Sequence, residues 1–494
     1  MTNFEIQHKD LMGRIGKLCT AHGYIETPAI LPVINPNIIS IEAAELKHYG
    51  AEMLITNAYI IYRKQDLREE ALKTGIHSLL GTDMPIMTDS GSYQLYEYKD
   101  VEVSNAKILE FQQRIGSDVC VPLDIPTAPY SNRERAKGDL DVTLNRLREA
   151  RNLMPANEQA NMLAGVVQGS TFTDLRADSA RQAAELGFDL YAIGGVVPLL
   201  ESHDFARLVD IIIASKRNLP LNAPVHLFGA GHPMLFALAV ALGCDLFDSA
   251  AYALFAKDKR YLTNEGTKKI GNLRALPCSC PVCSAHSVAE LKESKDLLAS
   301  HNLWVTFEEM RTVKQSIAEG SLWELCERRC RAYPSLLDAL ERITNYSTLI
   351  EKYDTATKRP FFYLSHYSAH RPEVVRYSNR LNRFYVSHSV LITTKEEPGE
   401  EKFDHIFLVK PPFGPYPVEL KETYPVGQSE IPVTIDDEAR TVALQNVVKL
   451  LMMNKGKAKF VFRYDNSWEG HPLLEEISKH VELMENIDLH NLHR

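Results

Sequence analysis

Between residues 24 and 252 the chain alternates short β-rich runs with longer helix-like segments, and no other feature constrains its fold as much. The candidate strands are Ile25–Val33, Met53–Ala58, Pro85–Thr88, Val119–Leu123, Leu163–Gln168, Leu190–Ile193, Val225–Phe228 and Asp245–Asp248. Helix-like segments such as Asn105–Ile115, Leu140–Asn152, Thr173–Glu185, Phe205–Arg217 and Pro233–Leu242 lie between them. Repeated β-then-α order favours a parallel sheet with helices outside it. Eight such units suit a (β/α)8 barrel, which typically takes about 250 residues. A doubly wound open sheet competes, but no G-x-G-x-x-G follows the first strand. The TIM barrel is the expected fold, with the span Met53–Gly81 as an insertion in it.

The rest of the chain has a different texture. Residues 253 to about 340 are Lys- and Arg-rich, then carry a cysteine cluster and helical patterns. Beyond Asn345, strand-like runs at Phe361–Tyr363, Phe384–Ile392 and His405–Val409 accompany a charged turn, Lys395–Lys402. The Pro-rich stretch Lys410–Pro417 reads as a loop or linker. A last unit starts at Tyr424, with a helix near Asp437–Met452 and a strand at Phe460–Arg463. The expected organisation is a barrel domain over 1–344 with an inserted zinc-binding subdomain at about 275–335. Small α+β domains at 345–423 and 424–494 follow it.

Composition narrows the function classes. The net charge of −9 excludes a generically basic nucleic-acid binder, so any such contact needs local basic patches. The mixed polar start has no apolar signal core, and no apolar run approaches the roughly 20 residues that span a bilayer. A cytoplasmic protein with no membrane partner is expected. Eight cysteines, three of them at 278, 280 and 283, favour a metal over disulfides in a chain without an export signal.

In a barrel of this kind the residues closing each strand face one rim, where the chemistry sits. Here they are Asp89, Asp124, Gln168-Gly169, Gly194-Gly195, Gly229-Ala230-Gly231 and Asp248. Among them His232 alone resembles a metal ligand, which points to carboxylate chemistry. Two carboxylates flanking one centre suit displacement at an anomeric carbon, one attacking while the other moves protons. A further carboxylate, a carboxamide and a glycine N–H suit the edge of a purine, and Tyr93 offers a face to stack on. Singly, each has a plainer explanation. Asp248 before Ser-Ala-Ala could cap a helix, Asp124 before Ile-Pro could close a turn, and Gln168 could satisfy nearby backbone. Their joint occurrence in this order argues against all three at once. Asp83 and Asp118 are read as structural.

The motifs Thr88–Gln94 (TDSGSYQ), Gly165–Gly169 (GVVQG), Ile193–Gly195 (IGG) and Phe247–Ala251 (FDSAA) resemble those of tRNA-guanine transglycosylases. Ser92-Tyr93 and the block Phe247–Thr263 (FDSAAYALFAKDKRYLT) are closer to the archaeal type. The resemblance runs continuously over about residues 1–340 and is weaker beyond 345. It implies exchange of guanine at position 15 of the tRNA D-loop for 7-cyano-7-deazaguanine, the archaeosine precursor. By the same resemblance Asp248 is the nucleophile on C1′ and Asp89 the general acid/base that also helps hold the base. Asp124 then binds the N1 and 2-amino edge, while Gln168 and the Gly195 backbone contact O6. Gly194, Val196, Val197, Ser90 and Tyr93 complete the pocket. The target nucleotide must leave its stack, which costs a few kcal/mol repaid by pocket contacts. Rival readings are a non-catalytic tRNA-binding paralogue, an enzyme that modifies the base after insertion, and a queuosine-type transglycosylase acting at the anticodon.

Cys278-x-Cys280-x-x-Cys283 supplies three thiolates for one structural Zn2+. For the fourth ligand, His286 would close a strained loop. His301 follows the helix-like stretch Val288–Ala299, the setting of the family's histidine ligand, and is preferred. Cys326 and Cys330, four apart on a helical pattern, read as packing residues. Lys257, Lys259 and Arg260 could meet tRNA phosphates beside the target, and Lys455, Lys457 and Lys459 form a second basic run. The resemblance also implies a homodimer. Archaeal relatives usually add a C-terminal PUA domain, of which this chain has no clear example, so a separate PUA-domain partner is expected.

Overall fold

The computed structural model describes residues 3–38, 40–92, 103–156, 161–358, 360–395 and 402–487. The chain divides into two compact units, Met1–Arg342 and Ile343–Arg494. In the first, eight parallel strands close a barrel: β4 (Ala29–Ile34), β5 (Leu54–Asn57), β6 (Ile86–Asp89), β7 (Val119–Cys120), β8 (Met162–Val167), β9 (Leu190–Ile193), β10 (Val225–Leu227) and β11 (Leu246–Ser249). They follow chain order around the barrel, β11 pairs with β4 to close it, and an antiparallel hairpin of β12 (Arg260–Thr263) and β13 (Gly266–Lys269) follows. Covered on both faces, they read as continuous apolar runs, and every residue of β8 is buried.

An antiparallel sheet precedes the barrel, made of β1 (Phe4–Asp10), β2 (Gly13–Thr20) and β3 (Gly23–Thr27). Its Phe4, Leu18 and Ile25 join the same apolar cluster as Leu31, Ile55 and Leu246 of the barrel, so the sheet plugs one end. Arg14 on β2 fastens the plug. Its Nε and Nη2 donate to the two oxygens of buried Asp245, each at 2.7 Å, where β11 begins. The plug therefore covers the N-terminal ends of the barrel strands and leaves their C-terminal ends to the site.

Three sequence expectations about the barrel need correction. Ile25–Val33 is two strands, because Pro28 has no N–H to continue a ladder; β3 stays with the plug and β4 enters the barrel. The expected strand Val119–Leu123 pairs only through Cys120. Beyond it the Gln112 amide replaces the ladder, donating to Val121 O at 2.9 Å and accepting from Val121 N at 2.8 Å. Within Met53–Gly81, Leu54–Asn57 is a barrel strand, and the short helices Ala58–Arg63, Gln65–Thr74 and Ile76–Leu80 follow it.

In the second unit a five-stranded sheet has the order β17 (Gly414–Pro417), β16 (His405–Lys410), β15 (His388–Thr393), β19 (Ala458–Asp465), β20 (Leu483–Ile487). Strands from either side of residue 424 share it through the parallel pairing of β15 with β19. The Pro-rich stretch is thus no linker, since Gly414–Pro417 pairs antiparallel with β16. Its prolines are tolerated because β17 lies at the sheet edge. A separate short pair joins β14 (Phe361–Phe362) to β18 (Ser429–Glu430). The helix Asp437–Met453 packs Leu444, Val447 and Leu451 against Val390, Phe407 and Phe462 of the sheet. Part of the charged turn, residues 396–401, lies outside the described residues. No helix among those described is long and apolar enough to cross a membrane.

Candidate active site

Asp89 closes β6 directly beside Asn57, which closes β5, and Asn57 Nδ2 donates to Asp89 Oδ2 at 3.1 Å. The Asn57 side-chain oxygen, Oδ1, caps the helix Ala58–Arg63 by accepting from Ile60 N at 3.0 Å. Burial, together with the negative charges of Asp124 and Asp248, pushes the Asp89 carboxyl up to about 7. That is where a proton donor and acceptor working near neutral pH needs to titrate. The parallel barrel puts all three carboxylates at the C-terminal ends of their strands, on one rim.

Asp124 sits just beyond β7. Burial raises its carboxyl above the usual range, against hydrogen bonds from Ser92 and Gln168 that favour the charged form. Its backbone N–H donates to Ser92 Oγ at 3.0 Å, and Ser92 in turn meets Ser90 Oγ at 3.0 Å. Both serines are buried, so they brace the turn after Asp89 and fix Asp124 against it. Gln168, at the end of β8, donates from Nε2 to Asp124 Oδ2 at 2.6 Å. Its Oε1 is buried with no partner among the described residues.

Gly194 and Gly195 follow β9 and leave the space that Gln168 fills. A Cβ on Gly194 would lie 2.5 Å from Gln168 Nε2, and one on Gly195 would lie 2.8 Å from Oε1. Gly195 also has φ +69, which favours glycine. Val196 is fully buried, while Val197 is exposed and lies over Gly229. Tyr93 lies outside the described residues.

Asp248, on β11, has Oδ1 engaged, while Oδ2 has no partner among the described residues. Gly229 N donates to Oδ1 at 2.7 Å, and His226 Nε2 lies 3.0 Å from the same oxygen.

Cys278, Cys280, Cys283 and His301 bring one ligand atom each to within 4.8 Å of one another. His301 lies in the helix Lys295–Glu319, with Nδ1 3.2 Å from Cys283 Sγ and 3.5 Å from Cys280 Sγ. Its Nε2 donates to Leu262 O at 3.1 Å, which turns the Nδ1 lone pair toward the sulfurs. Tyr261 stacks on the ring at 3.6 Å. The group can hold a metal ion, and its donor set is compatible with zinc. His286 instead meets Glu290 at 3.4 Å. Cys326 and Cys330 are buried packing residues with sulfurs 4.0 Å apart. Asp118 gathers His22 at 2.9 Å and His77 at 3.1 Å where β7 begins, away from the rim. Of the basic residues after β11, Lys257 and Lys259 are exposed, while Arg260 pairs with Asp258 at 2.7 Å.

Against known families, the model described as queuine tRNA-ribosyltransferase matches residues 10–335, well over half of the chain. The chain belongs to the tRNA-guanine transglycosylase family. Among relatives, the tRNA-guanine(15) transglycosylase of Methanosarcina mazei is 52% identical over 484 residues, covering 97% of this chain and 98% of that protein. Its namesake in Archaeoglobus fulgidus is 49% identical, covering 95% and 97%. That of Methanocaldococcus jannaschii is 50% identical over 88% of this chain and 69% of its own length. This transglycosylase is therefore of the archaeal type.

Three residues around the transglycosylase site were not read from the sequence. Asn57 closes a strand as Asp89 does, but a search for carboxylates passes over it. Arg176 sits within a predicted helix, and its fully buried guanidinium donates to Ser170 O, Val167 O and Gly194 O at 2.8–2.9 Å. It ties the end of β8 to the end of β9. His226 is one residue of a buried apolar strand, and only the pairing of β10 with β11 brings it to Asp248.

Proposed function

We propose that this transglycosylase exchanges guanine at position 15 of the tRNA D-loop for 7-cyano-7-deazaguanine, by double displacement through a covalent tRNA–enzyme intermediate. The observation that carries the chemistry is Asp248, with Oδ1 held by Gly229 N and His226 and Oδ2 left to attack. The position rests on the name shared by the relatives, tRNA-guanine(15) transglycosylase.

In the first displacement Asp248 Oδ2 bonds to C1′ as the C1′–N9 bond breaks, and its electron pair leaves with guanine. Asp89, protonated near neutral pH, supplies the proton that neutralises the departing base. In the second, the incoming base gives its N9 proton to Asp89, N9 bonds to C1′, and the C1′–Oδ2 pair returns to Asp248. Asp124 accepts from the N1 and 2-amino edge. One Gln168 N–H is spent on Asp124 Oδ2, and the second, with Gly195 N, meets O6. Ser90, Gly194, Val196 and Val197 shape the pocket, with Tyr93 stacking on the base. Zn2+ bound by Cys278, Cys280, Cys283 and His301 is structural, since four protein ligands leave no open position.

Exchange of labelled guanine into tRNA, followed by mapping of the labelled nucleotide, tests the reading. Label at position 15 and its loss in Asp248→Ala are expected. Label at the anticodon would favour a queuosine-type enzyme, and no label would favour a binding paralogue.

A further inference from the structure

His226 occupies the middle of β10 and is fully buried, with the Phe228 ring edge-on at 4.6 Å. A carboxylate can only accept, so the nitrogen facing Asp248 Oδ1 at 3.0 Å must carry the ring proton. Nδ1 is buried and has no partner among the described residues. The ring is thus spent on one interaction, a donor aimed at the oxygen opposite the attacking one.

We propose that His226 is a positioning residue that governs the second displacement by stabilising Asp248 as a leaving group. The proposal rests on the reading of Asp248 as nucleophile. When Oδ2 bonds to C1′, Oδ1 becomes an ester carbonyl oxygen and the hydrogen bond from His226 changes from charge-assisted to neutral. Such bonds are roughly twice as strong to an ionised acceptor. The His226 donor therefore favours the free carboxylate over the ester. It draws the C1′–Oδ2 pair back to Asp248 as N9 of the incoming base bonds to C1′ and its proton passes to Asp89. Gly229 N–H does the same from the backbone, so His226 is the side chain through which this balance is set. Without His226 the ester is the more favoured state. The adduct then accumulates and is released slowly.

The test uses the full chain, a tRNA transcript and guanine, with covalent adduct measured on denaturing gels and its release followed by a guanine chase. His226→Leu is expected to shift the adduct-to-free partition about tenfold toward adduct, equivalent to ~1.4 kcal/mol, and to slow the chase similarly. His226→Gln carries an amide N–H to about the Nε2 position and should stay within about twofold of the parent. Should His226→Leu fail to fold, His226→Asn, too short to reach Asp248, replaces it. An unchanged partition and chase rate, or Gln behaving like Leu or Asn, overturns the proposal. Adduct persisting in Asp248→Asn would instead overturn the nucleophile reading, whatever His226 does.

Discussion

Replacing Asp89 by Asn removes a carboxylate that the fold holds against its preference for charge, so stability should respond to pH in a defined direction. The carboxyl titrates at about 7 when folded, against 3.8 for the ordinary side chain, because of burial and the charges of Asp124 and Asp248. Below pH 4 the folded and unfolded forms are both protonated here, and the site contributes nothing. Between pH 4 and 7 the folded form holds the proton that the unfolded form has lost, so stability falls as pH rises. Above pH 7 the whole penalty is present, ~4 kcal/mol at 1.36 kcal/mol per unit. Asp89→Asn escapes it, and the Asn57 N–H still finds an oxygen at position 89. The variant should gain about 3 kcal/mol on its parent between pH 5 and pH 8. For a unit of 342 residues, unfolding entropy of ~2.1 cal/mol/K per residue converts that to about 4 °C in melting temperature. Paired thermal scans at half-unit pH intervals measure it. A gap that stays constant, or that narrows toward pH 8, refutes the assignment of a raised Asp89.

Three further outcomes are expected. Chelation, Cys278→Ser or His301→Ala should strip the bound metal, seen by elemental analysis, and lower the thermal midpoint of the barrel unit by about 10 °C. Gly195→Ala places a Cβ 2.8 Å from Gln168 Oε1 at a φ of +69. The KM for guanine should rise by about tenfold or more, with a loss of about 1–2 kcal/mol in stability; an unchanged KM would show that Gln168 does not need that space. Asp245→Asn leaves the Arg14 guanidinium buried without its charge partner. Denaturation should show a cost of about 3–5 kcal/mol, smaller in the double variant Arg14→Met/Asp245→Leu.

The barrel was legible because strands buried on both faces leave short apolar runs, and helices between them leave a longer period. The plug was not, because β1 buries only Phe4 and Asp10 at its ends and reads as polar between. Gly414–Pro417 was misread because proline argues against a strand until the edge position is known. In the site, strand-closing carboxylates stand out by place and chemistry. Arg176 and His226 do not, since each acts across a strand-to-strand junction that no local pattern encodes. Local sequence shows what closes a strand, and pairing decides what that residue meets.

The strand carrying Asp248 is also the seam of the barrel, since β11 shuts the cylinder by pairing Asp248 with Leu31 of β4. Of the eight barrel strands it is the last to leave the ribosome, on the order of tens of seconds after β4 at about 5–20 residues per second. Asp89, Asp124, Gln168 and the glycine turns are all synthesised before it, so the carboxylate proposed to attack the ribose is the last of the rim residues to join the site.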